Sequence, residues 1–156
     1  MSQHFAIGLD NPKTSSNIAG VLRACGCYGA SMLAVSGVRY KKNRVDTQKC
    51  YRWLPFLEVE DLKTVIPYSA TPVAVEFAED AESLIDFHHP KQAYYIFGAE
   101  DGTLGESVLS WCPKKVMVPT RYCMNLAATV NVVLYDRMAK TQRRFESRIQ
   151  NSVLAR

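Results

Sequence analysis

The sequence TSSNIAGVLRACGCYGA, residues 14–30, places Asn17, Gly20 and Arg23 inside an otherwise apolar helical pattern. An Asn near the start of a helix can cap it. A Gly inside a helix costs about 1 kcal/mol relative to Ala and often marks close approach by another backbone or a ligand. A structural arginine on an apolar helix needs a carboxylate partner. Each residue has a structural explanation, but the three together are candidates for a functional site.

A second unusual segment, GAEDGTLG at residues 98–105, directly follows the apolar run AYYIF. It lacks the glycine spacing of the common ATP-binding and NAD-binding loops, which excludes both fingerprints. Glu100 and Asp101 are expected to repel phosphate there. A glycine-rich turn with acids suits a cationic ligand or ribose hydroxyls. The alternative is a plain turn before a helix, with Glu106 in its favourable first turn.

The third segment, PTRYCMNLAATVNVVLYDRM at residues 119–138, begins a helix near Asn125. The apolar positions that follow recur at helical spacing, and Asn125 is a candidate N-cap. Asn131 interrupts the apolar run ATVNVVLY. We therefore predict that Asn131 is either a satisfied buried amide or part of an interface.

Short apolar runs alternate with helical patterns along the chain, which predicts an α/β fold with a largely parallel sheet and helices on both faces. The predicted strands are residues 5–9, 31–35, 72–77, 93–98 and 115–119, with 56–59 as a further candidate. The predicted helices are residues 15–28, 60–66, 79–87, 105–111 and 125–139. Ligands of such sheets bind beyond the carboxyl ends of the strands, where the three unusual segments begin.

The 156 residues contain no internal repeat and no Pro/Gly-rich linker, which predicts one domain over residues 1–156 with a basic tail from about residue 140. No apolar run approaches the roughly 20 residues that cross a bilayer, and the first residues lack the pattern of a secretion signal. These features predict a soluble, cytoplasmic protein. Five cysteines without a C-x-x-C pair predict reduced thiols and no metal site, and His88 and His89 suit a loop before Pro90.

Basic residues are concentrated in two segments, although the net charge is only +4. Six basic residues and one acid lie between Arg39 and Arg52, and five basic residues and one acid lie between Ala139 and Arg156. The rest of the chain has a net charge of −5. This distribution is typical of proteins that bind a polyanion such as RNA, although two solvated loops would explain it as well. The candidate RNA contacts are Lys41, Lys42, Arg44, Arg143 and Arg144.

In this order, NIAGVLRACGCYG, YYIFGAEDGTLG and VPTRYCMNLAATVNVVLYD resemble the three motifs of the SpoU, or TrmH-like, branch of the SPOUT RNA methyltransferases. The resemblance spans nearly the whole chain. Three sets of residues match the motifs in turn: Asn17, Gly20 and Arg23; Gly98, Ala99 and Glu100; and Val118, Pro119, Met124 and Asn125.

The resemblance implies a trefoil knot in the C-terminal third, with S-adenosylmethionine held in the knotted loops. It also implies a homodimer whose reaction site lies between the subunits. The expected reaction is methyl transfer to RNA, most often to a ribose 2′-hydroxyl of tRNA or rRNA. Because no RNA-binding domain is appended, we expect a minimal member of the family.

The resemblance assigns catalytic roles to Arg23, Asn17, Glu100 and Asn125. Arg23 would orient the RNA and stabilise the developing alkoxide, because a guanidinium stays protonated in proteins. Asn17 and Glu100 would position Arg23 and the nucleotide, and Asn125 would close the site. The expected cofactor contacts are Gly98, Ala99, Glu100, Val118, Pro119, Cys123, Met124 and Leu126.

The third motif departs from the family pattern in two ways. Cys123 replaces the usual Ser, and the loop from Pro119 to Asn125 is about three residues shorter than usual. Two alternatives to the methyltransferase therefore stay open. One is a non-catalytic RNA-binding or assembly protein on the same fold, and the other is a nucleotide-binding α/β protein of unrelated chemistry.

Overall fold

The computed structural model describes residues 3–37, 39 and 52–141. Within these ranges the strands form one sheet of seven members, all parallel, in the order β3-β2-β1-β6-β4-β7-β5. The strands are β1 His4–Leu9, β2 Leu33–Ser36, β3 Phe56–Val59, β4 Thr71–Val75, β5 Glu82–Ser83, β6 Gln92–Phe97 and β7 Lys114–Met117.

Three α-helices and one short 3₁₀ helix cover this sheet within the described residues. They are α1 Ser15–Tyr28, α2 Glu106–Leu109, α3 Leu126–Thr141 and the 3₁₀ helix Leu62–Val65. α1 ends at Gly29, whose positive φ of 77° is a conformation that glycine adopts without strain. No helix among the described residues is both long enough and apolar enough to cross a membrane.

The sheet is buried on both faces, as a parallel sheet with helices on each side requires. In β1, Phe5, Ile7 and Leu9 pack into the same core as the buried residues of α1 and α3. Ala6 points to the opposite face, because side chains alternate along a strand. The core on that face includes Leu62 of the 3₁₀ helix and residues in and around α2.

A buried polar cluster attaches α3 to the sheet. His89, in the loop before β6, has its Nδ1 2.6 Å from Tyr95 Oη and its Nε2 2.8 Å from Asp136 Oδ2. Arg137 donates to the same Tyr95 oxygen and to the carbonyl oxygen of Pro90. These bonds satisfy polar groups that would be costly to bury unpaired, so the C-terminal half of α3 has a fixed position.

The predicted fold class is confirmed: an α/β fold with a parallel sheet and helices on both faces. The predicted strands are present with small shifts at their ends, and the further candidate, 56–59, is β3. The predicted helices 60–66 and 105–111 are shorter in the structure, as the 3₁₀ helix and α2. The trefoil knot stays a prediction, because strand order alone does not test it.

The predicted helix over residues 79–87 is wrong. This segment contains β5, which pairs with β7, followed by a turn in which Phe87 N–H donates to Ser83 O. Leu84 and Phe87 are buried, as a helix would also have placed them. Their three-residue spacing fits a helical face and a turn equally well, so periodicity alone could not distinguish the two.

Five of the predicted RNA contacts lie outside the described residues. They are Lys41, Lys42, Arg44, Arg143 and Arg144. Most of the predicted basic tail lies outside them as well, since the described part of the chain ends with α3.

Candidate active site

An open cleft lies at the carboxyl ends of β4, β6 and β7. One wall comes from the residues that end β4 and β6, and the other from the segment between β7 and α3. The lining residues are Val75, Glu76, Phe77, Phe97, Gly98, Ala99, Glu100, Gly102, Met117, Val118, Thr120, Cys123, Met124, Leu126 and Thr129.

The structure brings most of the predicted cofactor contacts into this cleft. Those that line it are Gly98, Ala99, Glu100, Val118, Cys123, Met124 and Leu126. Pro119 does not line the cleft and lies instead along a groove beside α3. The segments after β6 and β7 therefore meet at one site, as the position of the two motifs indicated.

Sequence reasoning missed Glu76 and Phe77, which also line the cleft. Glu76 accepts hydrogen bonds from Phe77 N–H at 2.8 Å and from Leu104 N–H at 2.7 Å. A Cβ on Gly98 would lie 3.3 Å from the Leu104 nitrogen and 3.6 Å from Glu76 Oε2. Gly98 thus lets the strand end pass close to this hydrogen bond. The predicted strand 72–77 contained Glu76, and only the earlier end of β4 at Val75 places Glu76 at the edge of the sheet where ligands bind.

Asn17, Glu100 and Asn125 form a continuous hydrogen-bond network beside the cleft. Asn17 Nδ2 donates to Glu100 Oε1 at 2.6 Å, and Asn125 Nδ2 donates to Asn17 Oδ1 at 2.8 Å. Asn125 Oδ1 accepts from Ala128 N–H at 3.2 Å, which confirms that Asn125 is the N-cap residue of α3. Three of the four predicted catalytic residues, one from each motif, therefore meet in the structure.

Glu100 also receives hydrogen bonds from the start of α1. Its carboxylate accepts from Lys13 N–H at 2.8 Å, Thr14 N–H at 3.2 Å and Thr14 Oγ1 at 2.9 Å. Burial raises the pKa of this carboxyl, but the hydrogen bonds from Asn17, Lys13 and Thr14 outweigh it and lower the pKa to about 2. Glu100 is therefore a fixed, ionised acceptor. Thr14, not Asn17, is the N-cap residue of α1, so capping does not explain Asn17.

Gly20 allows α1 and α3 to cross closely. A Cβ at Gly20 would lie only 2.8 Å from the Cβ of Ala127 in α3. The close approach that a helical glycine predicts is confirmed, and the neighbour is a helix. This crossing lies one turn from Asn17, so it brings the first-motif helix and Asn125 within hydrogen-bond distance.

Arg23 is exposed and forms no ion pair or hydrogen bond within the described residues. The apolar face of α1 is formed by other positions, Ile18, Val21, Leu22, Ala24 and Cys25. The alternative of a structural arginine paired with a carboxylate therefore has no support among the described residues. Arg23 also does not join the network of Asn17, Glu100 and Asn125, and its guanidinium is open to a ligand.

Two cations neutralise Asp101 at the mouth of the cleft. Arg39 Nη2 donates to both carboxylate oxygens, at 2.9 and 2.8 Å, and Lys13 Nζ lies 3.4 Å from Oδ2. Asp101 is thus paired with two cations, and these three side chains together have a net charge of +1, which offsets the repulsion that Asp101 alone would exert on a phosphate.

The outward face of α3 carries an apolar groove next to Asn131. Asn131 is exposed and donates to Ala127 O at 2.8 Å, which excludes the buried-amide alternative. Large apolar side chains beside it are exposed as well, with Ile85 at 70% and Tyr135 at 59%. The groove, called the outer groove below, is lined by Tyr28, Leu84, Ile85, Val118, Pro119, Asn131, Val132, Tyr135 and Asp136.

The four cysteines in the described part of the chain, at positions 25, 27, 112 and 123, form no disulfide bond with one another. Among the described residues, no group of three or more His, Cys, Asp or Glu side chains is arranged to hold a metal ion.

Solved structures with this fold include several methyltransferases. One is the A. aeolicus TrmH/SpoU tRNA modifying enzyme, with 19% identity, a TM-score of 0.76, and coverage of 96% of this chain and 79% of that one. Another is the SpoU methyltransferase AviRb from Streptomyces viridochromogenes in complex with AdoMet, with 18% identity, a TM-score of 0.76, and coverage of 90% and 61%. The chain thus spans about three fifths of the length of AviRb.

A third structure concerns the 2-OH methylation of C/U34 on tRNA. It has 18% identity, a TM-score of 0.72, and coverage of 88% of this chain and 90% of that one. No curated protein sequence matches the chain at a significant level. Residues 4–135, however, match the model of the SpoU rRNA Methylase family, a range that contains the first two motifs and all but the last residue of the third. The chain therefore belongs to the SpoU rRNA Methylase family.

Proposed function

We propose that this protein is an S-adenosylmethionine-dependent methyltransferase that modifies the ribose 2′-hydroxyl of tRNA or rRNA. The observation that carries the proposal is the network of Asn17, Glu100 and Asn125 at the edge of the cleft. Family membership and the neighbours described as AdoMet-bound or as tRNA-modifying support it. A cytoplasmic location is part of the same proposal.

The cleft has the chemistry that S-adenosylmethionine requires. Phe77, Met117 and Leu126 offer apolar surface to an adenine ring, and the carboxylates of Glu76 and Glu100 offer acceptors and negative charge. These acids suit ribose hydroxyls and a ligand that carries a sulfonium and an ammonium group. When bound, the cofactor supplies a methyl group on a positively charged sulfur.

Arg23 would hold the RNA rather than accept a proton. A ribose 2′-hydroxyl is a weak nucleophile at neutral pH, so it must be aimed accurately and its developing negative charge stabilised. Arg23 is a permanent cation with open donors, which can orient a phosphate and stabilise an alkoxide. The ionised Glu100, with Asn17, keeps the start of α1 in place while Arg23 engages the RNA.

We also infer that the protein works as a homodimer through the outer groove. The groove combines exposed apolar side chains with the amide of Asn131, a composition that suits burial against a second copy. Val118 and Pro119, which directly follow β7, belong to this surface. A second copy seated there would therefore lie next to the cleft.

A non-catalytic RNA-binding protein on the same fold is the second candidate. Cys123 favours it, because this side chain lines the cleft at the position where the family motif has Ser. A thiol is a weaker hydrogen-bond donor than a hydroxyl, so the cleft would hold a cofactor less tightly.

Isothermal titration with S-adenosylmethionine and its demethylated product separates the two candidates. We expect dissociation constants in the micromolar range, about −8 kcal/mol. Absence of heat with both ligands up to millimolar concentration would favour the non-catalytic protein. The enzyme is then given a labelled methyl donor together with RNA that was isolated from a strain lacking the gene. Nucleoside chromatography of this RNA shows whether the ribose or the base is modified.

A further inference from the structure

Three loops meet at Asp101, just outside the cleft. Asp101 follows β6, Lys13 follows β1, and Arg39 follows β2. These strands are neighbours in the sheet, and hydrogen bonds from Asn11 N–H to Ser36 O and from Asp10 N–H to Phe97 O join their carboxyl ends. The two cations are therefore brought to one carboxylate by the sheet itself.

The cluster of Lys13, Arg39 and Asp101 has unused capacity to bind an anion. Arg39 contacts Asp101 through Nη2 alone, so its Nη1 and Nε donors have no partner among the described residues. The side chains are partly exposed, 56% for Lys13, 36% for Arg39 and 43% for Asp101. Hydrogen bonding from Arg39 lowers the pKa of Asp101, so the carboxylate stays ionised and the cluster keeps a net charge of +1.

The position of this cluster connects it to the candidate active site. The backbone N–H of Lys13 donates to Glu100, and Asp101 is the next residue in the chain. A phosphate bound by Lys13 and Arg39 would therefore lie beside the network of Asn17, Glu100 and Asn125.

We propose that Lys13 and Arg39 form a binding site for a backbone phosphate of the RNA, and that Asp101 occupies both cations until the phosphate displaces it. This proposal rests on the function proposed above. Exposed ion pairs are weak and screened by salt, so a polyanion can displace the carboxylate. Asp101 thus holds the two cations in place and also competes with the RNA.

The proposal and a purely structural role predict opposite changes in RNA affinity when Asp101 loses its charge. If the two ion pairs only hold the loops together, removing Asp101 loosens the site and cannot strengthen RNA binding. If Asp101 competes with a phosphate, removing its charge leaves two unpaired cations and strengthens binding. Removing either cation weakens binding in the proposed arrangement.

The test measures binding of unfractionated tRNA to wild type, Lys13→Gln, Arg39→Gln and Asp101→Asn by filter binding over a series of salt concentrations. The slope of log affinity against log salt should become shallower by up to about one when either cation is removed, because both bind the same phosphate. For Asp101→Asn it should become steeper by about one, with affinity higher by roughly two- to fivefold, the scale of an exposed ion pair. Isothermal titration should show unchanged cofactor affinity, because none of the three side chains lines the cleft.

The pair of Lys115 and Asp80 is a matched control. It is another ion pair near the surface, with Lys115 Nζ 2.6 Å from Asp80 Oδ2, and Lys115 lies in β7, far along the sheet from β2. Lys115→Gln and Asp80→Asn make the same charge changes and should leave the salt slope unchanged. Equal effects at both pairs would show a general charge effect and overturn the proposal.

Two further results would overturn the proposed phosphate site but leave the methyltransferase function standing. One is weaker RNA binding by Asp101→Asn, and the other is an unchanged salt slope for Lys13→Gln and Arg39→Gln. A wild-type protein that binds no RNA would reject the proposed function together with this inference. Melting curves of each variant show whether a change in binding comes from loss of the fold.

Discussion

Asn125 and Asn17 lie 108 residues apart in the sequence, yet their side-chain amides are joined by a hydrogen bond of 2.8 Å. The direction of this bond is set at both ends. Asn125 Oδ1 is used by Ala128 N–H, so its Nδ2 must donate to Asn17 Oδ1. Asn17 Nδ2 is then directed at Glu100. One chain of donors and acceptors therefore links the starts of α1 and α3 to the loop after β6.

The first prediction tests this direction with Asn17→Asp. The substitution places a carboxylate oxygen where the Asn17 Nδ2 now donates to Glu100 at 2.6 Å. Loss of the bond and repulsion between the two acids should lower the free energy of unfolding by about 1–3 kcal/mol. Urea denaturation measures the change.

The matched control is the double variant Asn17→Asp with Glu100→Gln, which restores a donor opposite an acceptor. It should recover the part of the lost stability that comes from repulsion between the two acids, but not all of it, because the Gln amide then faces Thr14 N–H, which donates to Glu100 Oε1 in the wild type. If the single variant is as stable as wild type, the network does not hold α1 against the β6 loop.

The second prediction concerns Arg23→Ala. Because Arg23 is exposed and unpaired in the described residues, the melting temperature and the cofactor affinity should hardly change. The methylation rate should fall by about a hundredfold or more, the scale for loss of one preorganised electrostatic group. Single-turnover methylation gives the rate, and Arg23→Lys should retain part of the activity because it keeps the charge. Full activity of Arg23→Ala would refute the catalytic role.

The third prediction concerns Gly20→Ala. The new methyl group would lie 2.8 Å from the Cβ of Ala127, so α1 and α3 must move apart. Overpacking of this kind should cost about 1–3 kcal/mol and disturb the bond between Asn17 and Asn125. Denaturation of the double variant Gly20→Ala with Ala127→Gly should show recovered stability. A single variant more stable than wild type would mean that helix propensity outweighs the contact.

The fourth prediction is a dependence of stability on acid. The pKa of Glu100 is lowered from 4.5 to about 2 in the folded protein. Between these values the unfolded chain binds a proton that the folded chain does not, so stability falls as the pH falls from 4.5 towards 2. Denaturation of Glu100→Gln over the same pH range should show a smaller loss. Identical pH profiles would show that Glu100 makes no contribution.

The fifth prediction tests the homodimer with Tyr135→Glu. A charge in the outer groove should separate two copies, because an isolated charge is expensive to bury at an apolar interface. Light scattering behind a sizing column should give a mass near two chains for wild type and near the 17.5 kDa of one chain for the variant. Tyr68→Glu is the control, since Tyr68 is 95% exposed and lies outside the outer groove. A wild-type mass of one chain at micromolar concentration would contradict the dimer.

The sequence by itself determined the fold class and the location of the site. Short apolar runs bounded by turn residues predict buried strands without any knowledge of distant contacts. Gly98 and Glu100 directly follow one of these strands, and the order of strands and helices implies a parallel sheet. The ligand site of such a sheet lies at the carboxyl ends of its strands, which is where the cleft is found.

Only the tertiary structure decided which of these residues meet. The spacing of Leu84 and Phe87 fits a helix, but pairing of β5 with β7 made their segment a strand and a turn. Arg23 lies in an apolar sequence, yet the packing of α1 turned it to solvent. The bond between Glu100 and Asn17 spans 83 residues and exists because β1 lies next to β6. Local sequence patterns report the burial of each segment, whereas such bonds depend on strand order, which is set by the packing of the whole sheet.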